Sequence, residues 1–316
     1  MTSKRATSKS KSAGGSKSAF IISLPATSAN LGPAFDAAAI AMDFRINIEA
    51  SPASKWAIQA TGRDEQICGL VENHLILNVY REVLRDEGVK AKPLFLKISN
   101  DIPIGKGCGS SAAARLAGIA LAVHFGKLGW SDSEIIGEAS SLEHHPDNAS
   151  ACWMGGLTVA RMKAGSGAQV ACISPKGKWP LLLAIPEKAL STEEARRVLP
   201  MQYSRADAVT NIQNSMLLLA AFMQGRHDLV SDALEDRIHQ PYRAPLCPLL
   251  PALQELKQRD GVLGAALSGA GPSVLVFADP EVSLEKTRKR VAGHLAHRGL
   301  TAELLPTSIT LRGARS

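Results

Sequence analysis

Apolar and polar positions alternate along several short stretches of the first hundred residues. Every second residue is apolar in 44–48 and in 94–98, and residues 20–24 form a mostly apolar run that ends before Pro25. A period of two is typical of a half-buried β-strand. The pattern predicts three strands here, with an irregular segment rich in small residues between the first two.

The period of the apolar positions changes to that of a helix further along the chain. Apolar residues take the i, i+3, i+4 and i+7 positions of one helix face within 116–123, and Gly126 and Gly129 close this stretch. Further helices are predicted at 132–143 and at 207–224. The side of the last helix that we expect to face inward carries Val209, Ile212, Met216, Leu219 and Met223.

The second half of the chain mixes strands and helices in the same way. The segments GGLTVARM (155–162) and WPLLLAIP (179–186) read as strands, and GVLGAALSGAGPSVLVFAD (261–279) reads as strand, loop and strand. A last helix near 282–298 precedes a final strand. The polar stretch 163–167 between the first two of these segments is the best candidate for a domain boundary.

Length and composition allow one large domain or two ordinary ones. The chain has 316 residues, of which 45% are hydrophobic, so each domain can bury a core. We predict domains at 20–165 and 166–316, after a tail of residues 1–19. The tail consists mostly of Ser, Lys and Gly with little to bury, which predicts disorder.

Charge and cysteine content exclude several classes of protein. Five of the positive charges behind the net +7 lie in residues 1–19, so the remainder carries about +2 and indicates no nucleic-acid partner. The tail lacks the apolar centre of a secretory signal. Five cysteines without a C-x-x-C pair argue against a disulfide framework or a zinc site. We therefore expect a cytoplasmic protein with no membrane partner.

The segment IPIGKGCGSSAA (102–113) lies between a predicted strand and a predicted helix. Glycines let several backbone N–H groups approach one phosphate, and a helix start adds further N–H groups and a positive dipole end. The Walker pattern is absent, and Ala112 stands where the dinucleotide pattern needs its third glycine. A phosphate site and a plain glycine turn with a serine cap are both open at this point.

Three segments in order resemble the motifs of the GHMP kinase family. They are LPATSANLGPAFDAAAIAMDF (24–44), IPIGKGCGSSAAARLAGIA (102–120) and LSGAGPSVLVF (267–277). Three more resemble those members of the family that phosphorylate homoserine: EHHPDNASACWMGGL (143–157), STEEARRVLP (191–200) and DRIHQPYR (236–243). The resemblance covers about residues 20–310.

The resemblance implies an α+β protein of two domains. The N-terminal domain would be of the ribosomal protein S5 domain 2-like kind and the C-terminal domain ferredoxin-like. It also implies transfer of the γ-phosphoryl group of ATP to the side-chain hydroxyl of L-homoserine, a step towards threonine, with ATP and Mg²⁺ as cofactors. A homodimer is possible for such a protein.

The resemblance also implies where ATP and Mg²⁺ bind. The ATP-binding residues would be Pro103, Ile104, Gly105, Lys106, Gly107, Cys108, Gly109, Ser110, Ser111 and Ala112. Ser111 and Glu143 match the family's metal ligands, although Ser110 and Glu138 could take these roles instead. Cys108 is a small filler in this scheme, with a reactive thiol at a helix start as the alternative.

Homoserine carries a carboxylate and an ammonium group, which call for a guanidinium and for carboxylates. By resemblance, Arg196 and Arg243 hold the carboxylate. The other polar groups would meet Asn30, Asp36, His145 and Asp147. Catalytic roles fall to Lys106 at the triphosphate, Thr192 at the transferred phosphate, and Asn148 or Asp147 at the hydroxyl. We expect alignment and Mg²⁺, rather than a strong base, to drive the transfer.

Each assignment has a plainer alternative. Arg196 lies on a charged stretch that could be a solvated helix face, and Asn30 and Asp36 could close turns. The His-His-Pro-Asp-Asn run shows no third metal ligand at a supporting spacing. The first motif departs from the family at Ala34 and at residues 37–39, and His144 likewise stands where a glycine is common.

Two other functions fit parts of the sequence. One is a kinase of the same fold that acts on another small alcohol, such as L-threonine or a mevalonate-type acid. The other is a catalytically silent module that binds nucleotide, or RNA through the basic tail. The complete third motif and the candidate metal ligands argue against the silent module.

Overall fold

The computed structural model describes residues 19–163 and 167–314. The predicted tail (1–19) lies outside this range except for its last residue. The strands of the described part are β1 (Phe20–Ala29), β2 (Ala38–Pro52), β3 (Ala57–Gly62), β4 (Leu94–Asn100), β5 (Leu157–Met162), β6 (Ala168–Ile173), β7 (Pro180–Ile185), β8 (Val262–Leu267), β9 (Val274–Ala278) and β10 (Glu303–Ser308).

Long and short helices alternate with these strands. They are α1 (Glu65–Cys68), α2 (Leu75–Asp86), α3 (Ser110–Gly126), α4 (Asp132–Glu143), α5 (Asp147–Met154), α6 (Thr192–Arg197), α7 (Arg205–Gln224), α8 (Val230–Ala233), α9 (Gln240–Arg243), α10 (Leu249–Gln254) and α11 (Leu284–His297). In the described residues, no helix is both long and apolar enough to cross a membrane.

The first sheet has six strands around the long strand β2. β1 pairs with one edge of β2, and β4 and β5 pair with different parts of its other edge. β3 joins β4 in parallel, and β6 joins β5 in a hairpin. Alternate residues of β4 point into the core, as the period of two predicts. Helices α2 to α5 pack against one another near this sheet.

The second sheet has four antiparallel strands in the order β10, β7, β9 and β8. Its β7 and β9 are buried almost throughout, and α10 and α11 pack against it over a separate apolar core. The strand–loop–strand prediction for 261–279 corresponds to β8 and β9. Two sheets with helices packed against them give the α+β arrangement in two parts that the resemblance implies.

The predicted domain boundary at 165/166 falls outside the described residues. The strands on either side of it, β5 and β6, pair with each other in the first sheet. The change from the first sheet to the second comes later, between β6 and β7. We retain the division into two domains as a proposal, with the boundary after Ile173.

The inward face predicted for α7 is wrong. Val209, Ile212, Met216 and Met223 expose 47–66% of their surface. The buried side of the helix carries Asn211, Leu218, Ala221 and Phe222 instead. Apolar residues occupy both sides of this helix, so a period of 3.6 fits two faces equally well and cannot choose between them.

The segment between the first two predicted strands is also more regular than expected. β1 continues to Ala29 and β2 starts at Ala38, so only a short turn remains between them. Small residues within this segment let the two strands pair closely, with a register shift at Pro25 and Ala26. Strand β3 and helix α2 were not predicted at all.

Candidate active site

The glycine-rich loop connects β4 to the start of α3. Gly105, Gly107 and Gly109 have φ angles of +69°, +76° and +69°, a region that residues with a β-carbon rarely adopt. Alternating glycines of this kind before a helix N-terminus expose backbone N–H groups to an anion. The loop therefore has the backbone geometry of a phosphate site.

The other two motifs pack directly against this loop. A β-carbon on Gly107 would overlap the carbonyl oxygen of Ser268 and lie 2.7 Å from that of Gly271. The Ser268 hydroxyl donates to the Gly107 carbonyl (2.7 Å), and the Asn30 amide donates to the Gly269 carbonyl (2.9 Å). The three segments that resemble family motifs thus meet at one point of the structure.

A cleft with an empty volume of about 670 Å³ opens beside the loop. Third-motif residues contribute to its wall, and most of the predicted site residues line it: Asn30, Asp36, Gly105, Gly107, Cys108, Gly109, Ser110, Ser111, Ala112, Glu143, His145, Asp147, Asn148, Thr192, Arg196 and Arg243. These residues come from both halves of the chain.

Three predicted ATP-binding residues lie differently. Lys106 does not line this cleft, because its ammonium group donates to the carbonyl oxygens of Pro186 (3.1 Å) and Glu187 at the end of β7. Lys106 and Pro103 line a neighbouring cleft instead. The Ile104 N–H donates to the Asp64 carboxylate (3.0 Å). The expectation that Lys106 faces the triphosphate is therefore not met in this structure.

Ser111 and Glu143 lie next to each other, as their proposed metal role requires. The Ser111 hydroxyl donates to Glu143 Oε1 at 2.8 Å, and Arg115 donates to the same oxygen. Arg115 was not predicted, although it lies four residues after Ser111 and so on the same face of α3. Of the two candidate serines, Ser111 is the one that contacts Glu143.

The structure argues against two of the alternative assignments. Glu138 faces acidic residues of α2 rather than the cleft, and partial burial with the charges of Asp86, Glu82 and Glu87 raises its pKa. Cys108 is buried, and this burial raises the pKa of its thiol to about 12. A thiol with such a pKa is protonated and unreactive, so Cys108 is a small filler.

Thr27 links the loop to Asn148 and was missed from the sequence. Its backbone N–H donates to the Cys108 carbonyl (3.0 Å), and its hydroxyl donates to Asn148 Oδ1 (2.6 Å). Thr27 is fully buried on β1. A β-carbon on Gly109 would overlap this hydroxyl. The hydrogen bond therefore fixes the Asn148 amide beneath the loop.

Asp147 is the most heavily hydrogen-bonded acid of the cleft. Its Oδ1 lies 2.5 Å from His145 Nδ1 and accepts from the backbone and side-chain amides of Asn148 (2.6 and 3.2 Å). Burial lowers the pKa of His145, but its hydrogen bond to Asp147 and the charges of Asp147, Asp36 and Glu143 outweigh burial, so the pKa is raised. The imidazole therefore tends towards the protonated form.

Asp36 and Arg196 face each other across the cleft. Arg196 donates two hydrogen bonds to the Asp36 carboxylate, at 2.8 and 3.1 Å. Both side chains remain about one-third exposed, so solvent reaches the pair. Arg196 lies on α6 and Asp36 on the turn after β1, so this contact is between two predicted substrate ligands. Arg196 therefore does not lie on a solvated helix face, and Asp36 does more than close a turn.

Arg243 is buried beneath these groups. Its Nε donates to the Ala195 carbonyl (2.9 Å) and its Nη1 to His239 Nδ1 (3.2 Å). Burial, and then the positive charge of Arg196, lower the pKa of Arg243 to about 10. The guanidinium remains charged at neutral pH. Its other three N–H groups meet no acceptor among the described residues, and the residue lines the cleft.

Asp36, His145 and Asp147 bring three ligand-type atoms within 4.8 Å of one another. Asp36 is thus the third group that sequence spacing around the His-His-Pro-Asp-Asn run did not reveal. However, Arg196 already occupies both oxygens of Asp36, and Asp147 Oδ1 already accepts three hydrogen bonds. These occupied oxygens argue against a metal ion at the cluster, and an ammonium group would have to share Asp36 with Arg196 or bind the second carboxylate oxygen of Asp147.

The departures from family glycines have local consequences. His144 has a φ of +66°, the left-handed conformation for which a glycine is favoured, directly after Glu143. In the first motif, the non-glycine residues with positive φ are Asn30, Leu31 and Asp36, and the alanines at 34 and 37–39 avoid that region. The backbone around Asp36 is therefore accommodated by an aspartate, which tolerates positive φ better than most residues.

Comparison with known proteins agrees with this geometry. The family model described as GHMP kinases N terminal domain matches residues 74–156, and the one described as GHMP kinases C terminal matches residues 218–297. Together the two matches cover more than half of the chain. The chain belongs to the GHMP kinase family. Members of this family are kinases, which implies ATP as a substrate.

Two relatives within the family are both homoserine kinases. A homoserine kinase of Solibacter usitatus is 39% identical over 94% of this chain and 97% of its own length. A homoserine kinase of Streptomyces avermitilis is 37% identical over 93% of this chain and 94% of its own length.

Solved structures give the same result for the fold. A putative homoserine kinase of Listeria monocytogenes superposes with a TM-score of 0.73 at 25% identity, over 93% of this chain and 97% of its own. The homoserine kinase of Cytophaga hutchinsonii superposes with a TM-score of 0.79 over 96% of this chain and 99% of its own. At 21% identity, the latter supports the fold alone.

The loop glycines allow a matched test of the Thr27–Asn148 contact. Gly105→Ala and Gly109→Ala add the same methyl group at the same φ of +69°, so both carry a backbone strain of about 1–2 kcal/mol. Only at Gly109 does the methyl group also overlap the Thr27 hydroxyl; at Gly105 its nearest neighbour is Ala189 Cβ at 3.6 Å. We expect kcat to fall at least tenfold further in Gly109→Ala than in Gly105→Ala.

Urea unfolding of both variants would separate the strain from the effect on the site. Equal losses of kcat in the two variants would contradict a role for the contact beneath the loop.

Proposed function

We propose that this protein catalyses the ATP-dependent phosphorylation of the side-chain hydroxyl of L-homoserine, which gives O-phospho-L-homoserine for threonine biosynthesis. The observation that carries the proposal is the buried guanidinium of Arg243, which presents unpaired N–H groups to a cleft that also holds Asp36, His145 and Asp147. Such a pairing of cationic and anionic groups fits a zwitterionic amino acid.

The acceptor's carboxylate would bind at Arg243. Three free N–H groups on a buried, rigid fork offer a bidentate contact that strengthens where water is excluded. Arg196 can add a second contact only if it is shared with Asp36, because its guanidinium already meets that carboxylate. Arg243 is therefore the principal carboxylate ligand in this proposal, and Arg196 the secondary one.

The acceptor's ammonium group would lie among Asp36, Asp147 and His145. Oδ1 of Asp147 already accepts three hydrogen bonds, which makes this oxygen poorly suited to act as a base. Asn148, oriented by Thr27, lies directly beside it and can position the hydroxyl. Transfer would then depend on alignment, with the hydroxyl proton leaving to a phosphoryl oxygen or to solvent.

The triphosphate would lie over the glycine loop, with Thr192 at the far side of the cleft. The loop separates this cleft from the neighbouring one, which Arg63, Pro103, Lys106 and Glu303 help to line. We place the nucleoside of ATP on that second side. Pro103 and Lys106 would then meet the nucleoside end of ATP rather than its γ-phosphate.

Mg²⁺ fits the pair Ser111 and Glu143. A hydroxyl and a carboxylate are hard oxygen ligands of the kind that Mg²⁺ prefers, and both face the cleft beside the loop. Arg115 holds the carboxylate in place through Oε1. When bound, Mg²⁺ would neutralise charge on the phosphates of ATP.

A panel of acceptors tests the proposed reaction. With Mg·ATP at a fixed concentration and ADP release as the signal, we expect turnover with L-homoserine well above that with L-threonine, L-serine or mevalonate. Chelation of Mg²⁺ by EDTA serves as the control and should abolish turnover. Turnover of another alcohol without turnover of homoserine would identify a different kinase of the family, and no turnover with any acceptor would indicate a silent module.

Arg243→Lys tests the carboxylate contact with little change in volume or charge. Loss of a charged bidentate hydrogen bond is worth about 1.5–3 kcal/mol, so KM for homoserine should rise roughly 10- to 100-fold while KM for ATP stays within about threefold. Arg237→Lys is the control, because Arg237 lies on the same segment but is half-exposed and pairs with Glu235. Equal increases in both KM values would show that Arg243 is structural.

We also propose that this protein forms a homodimer. The exposed apolar residues of α7 are Val209, Ile212, Met216 and Met223. Val209 and Met223 lie seven residues on either side of Met216. Two antiparallel copies of α7 would therefore bury the same positions on both chains, as a two-fold symmetric contact requires. An apolar stripe of this length on a helix favours such a partner.

Light scattering would test the dimer. We expect twice the chain mass of 33.5 kDa for the wild type and a single chain mass for Ile212→Asp, since a charge in an apolar contact is costly. Gln213→Asp, on an exposed neighbouring position, should stay dimeric. A wild-type mass of one chain would reject the dimer.

A further inference from the structure

His239 lies beneath the cleft and contacts both sides of the proposed acceptor site. It is fully buried at the start of α9. Its Nε2 lies 2.7 Å from the carbonyl oxygen of Gly32, in the first motif, and its Nδ1 lies 3.2 Å from Nη1 of Arg243. One imidazole therefore bridges the turn that carries Asp36 and the arginine that faces the cleft.

The two partners determine the protonation state of this ring. A carbonyl oxygen only accepts hydrogen bonds, so Nε2 must carry a proton. A guanidinium only donates, so Nδ1 must be free of one. His239 is thus neutral, as its Nε2–H tautomer. Burial is the main reason why the pKa of His239 is lowered to about 4, which agrees with this geometry.

Asp236 does not change this assignment. Its Oδ2 lies 3.4 Å from His239 Nε2, further than the Gly32 carbonyl. Its two oxygens accept the backbone N–H groups of Ile238, His239 and Gln240, at 2.6–3.0 Å. Asp236 therefore serves mainly to shape the segment that presents His239.

The aromatic ring of Phe35 packs against His239 and Arg243 and limits their movement. Its ring stacks on the His239 ring with a centroid distance of 5.2 Å and an angle of 25°. The guanidinium carbons of Arg196 and Arg243 lie 5.5 and 5.3 Å from the centre of the Phe35 ring. Phe35 therefore limits movement of both arginines. The hydrogen bond to His239 fixes the orientation of the Arg243 guanidinium within its own plane.

The hydrogen bond from Arg243 to His239 determines which N–H groups remain for a ligand. Nε is directed to the Ala195 carbonyl and one N–H of Nη1 to His239. The remaining N–H groups belong to Nη1 and Nη2, which together form the flat edge that binds a carboxylate. Without an acceptor at His239, the guanidinium could rotate and offer a different edge.

We propose that His239 is a positioning residue that holds this edge of Arg243 towards the acceptor's carboxylate, and so sets the preference for an amino-acid carboxylate over an uncharged group. The proposal rests on the proposed function, since it names the part of homoserine that the buried fork recognises. His239 itself touches no reacting atom.

Two substitutions at His239 distinguish the roles of its two ring nitrogen atoms. In His239→Asn the side-chain oxygen can replace Nδ1 as the acceptor for Arg243, whereas His239→Gln can replace only the contact at Nε2. We expect His239→Gln to raise KM for L-homoserine at least tenfold, with kcat and KM for ATP within about threefold of wild type. His239→Asn should keep KM for homoserine within about threefold.

The decisive measurement compares L-homoserine with its carboxamide, which lacks the negative charge. The wild type should prefer the acid, and His239→Gln should reduce this preference at least tenfold while His239→Asn retains it. His294→Gln is the control, because His294 also donates to a backbone carbonyl, that of Ala252 (2.8 Å), but lies on α11. Equal KM values for the two His239 variants, or an unchanged preference in both, would overturn the proposal.

A measurement on the wild type keeps the test independent of activity and of variant folding. Nitrogen-15 NMR of histidine-labelled protein should show one ring as a neutral Nε2–H tautomer, identified as His239 by its loss in His239→Asn or, should that variant not fold, by its resistance to protonation down to pH 5. An Nδ1–H tautomer or an imidazolium would refute the role of His239. Failure of wild-type turnover with homoserine would refute the proposed function alone.

Discussion

The site depends on backbone packing that leaves no space for a β-carbon at Gly107 and Gly109. At Gly107 the third motif occupies that space with two carbonyl oxygens, and at Gly109 the Thr27 hydroxyl of the first motif does. The loop can approach both motifs only because these positions lack side chains, and the approach aligns the loop with Asn148. This packing decides where the start of α3, which carries Ser111, lies relative to the first and third motifs.

Secondary structure could be predicted where a single period dominates. The helix at 132–143 begins and ends as predicted, since Ser131 forms a capping box with Glu134 and only one side of the helix is apolar. Helix α7 shows the opposite case, because two of its faces are apolar and tertiary packing selects the less obvious one. Among the described strands, β3 pairs only with β4, and such a non-local pairing leaves little signal in the local sequence.

The sequence predicted which residues line the cleft, but not the contacts between them. Motif resemblance selected Asp36, Arg196 and Ser111, and these residues line one cleft. The bond between Asp36 and Arg196 joins residues 160 positions apart, so nothing in local spacing announces it. The same holds for Lys106, whose partners lie on the other sheet. Thr27 and His239 lie inside segments that resemble family motifs, but their contacts with Asn148 and Gly32 join residues 121 and 207 positions apart, which local spacing does not reveal.

The charges of the cleft are arranged so that each is compensated from within the protein. Asp36 neutralises Arg196, Arg115 neutralises part of Glu143, and His145 lies against Asp147. Arg243 is the exception, because both of its hydrogen-bonded partners are uncharged acceptors. A buried charge without an opposite charge beside it is costly, and its cost is recovered when an anion binds. A carboxylate bound at Arg243, as we propose, would supply the missing negative charge, which an uncharged group could not.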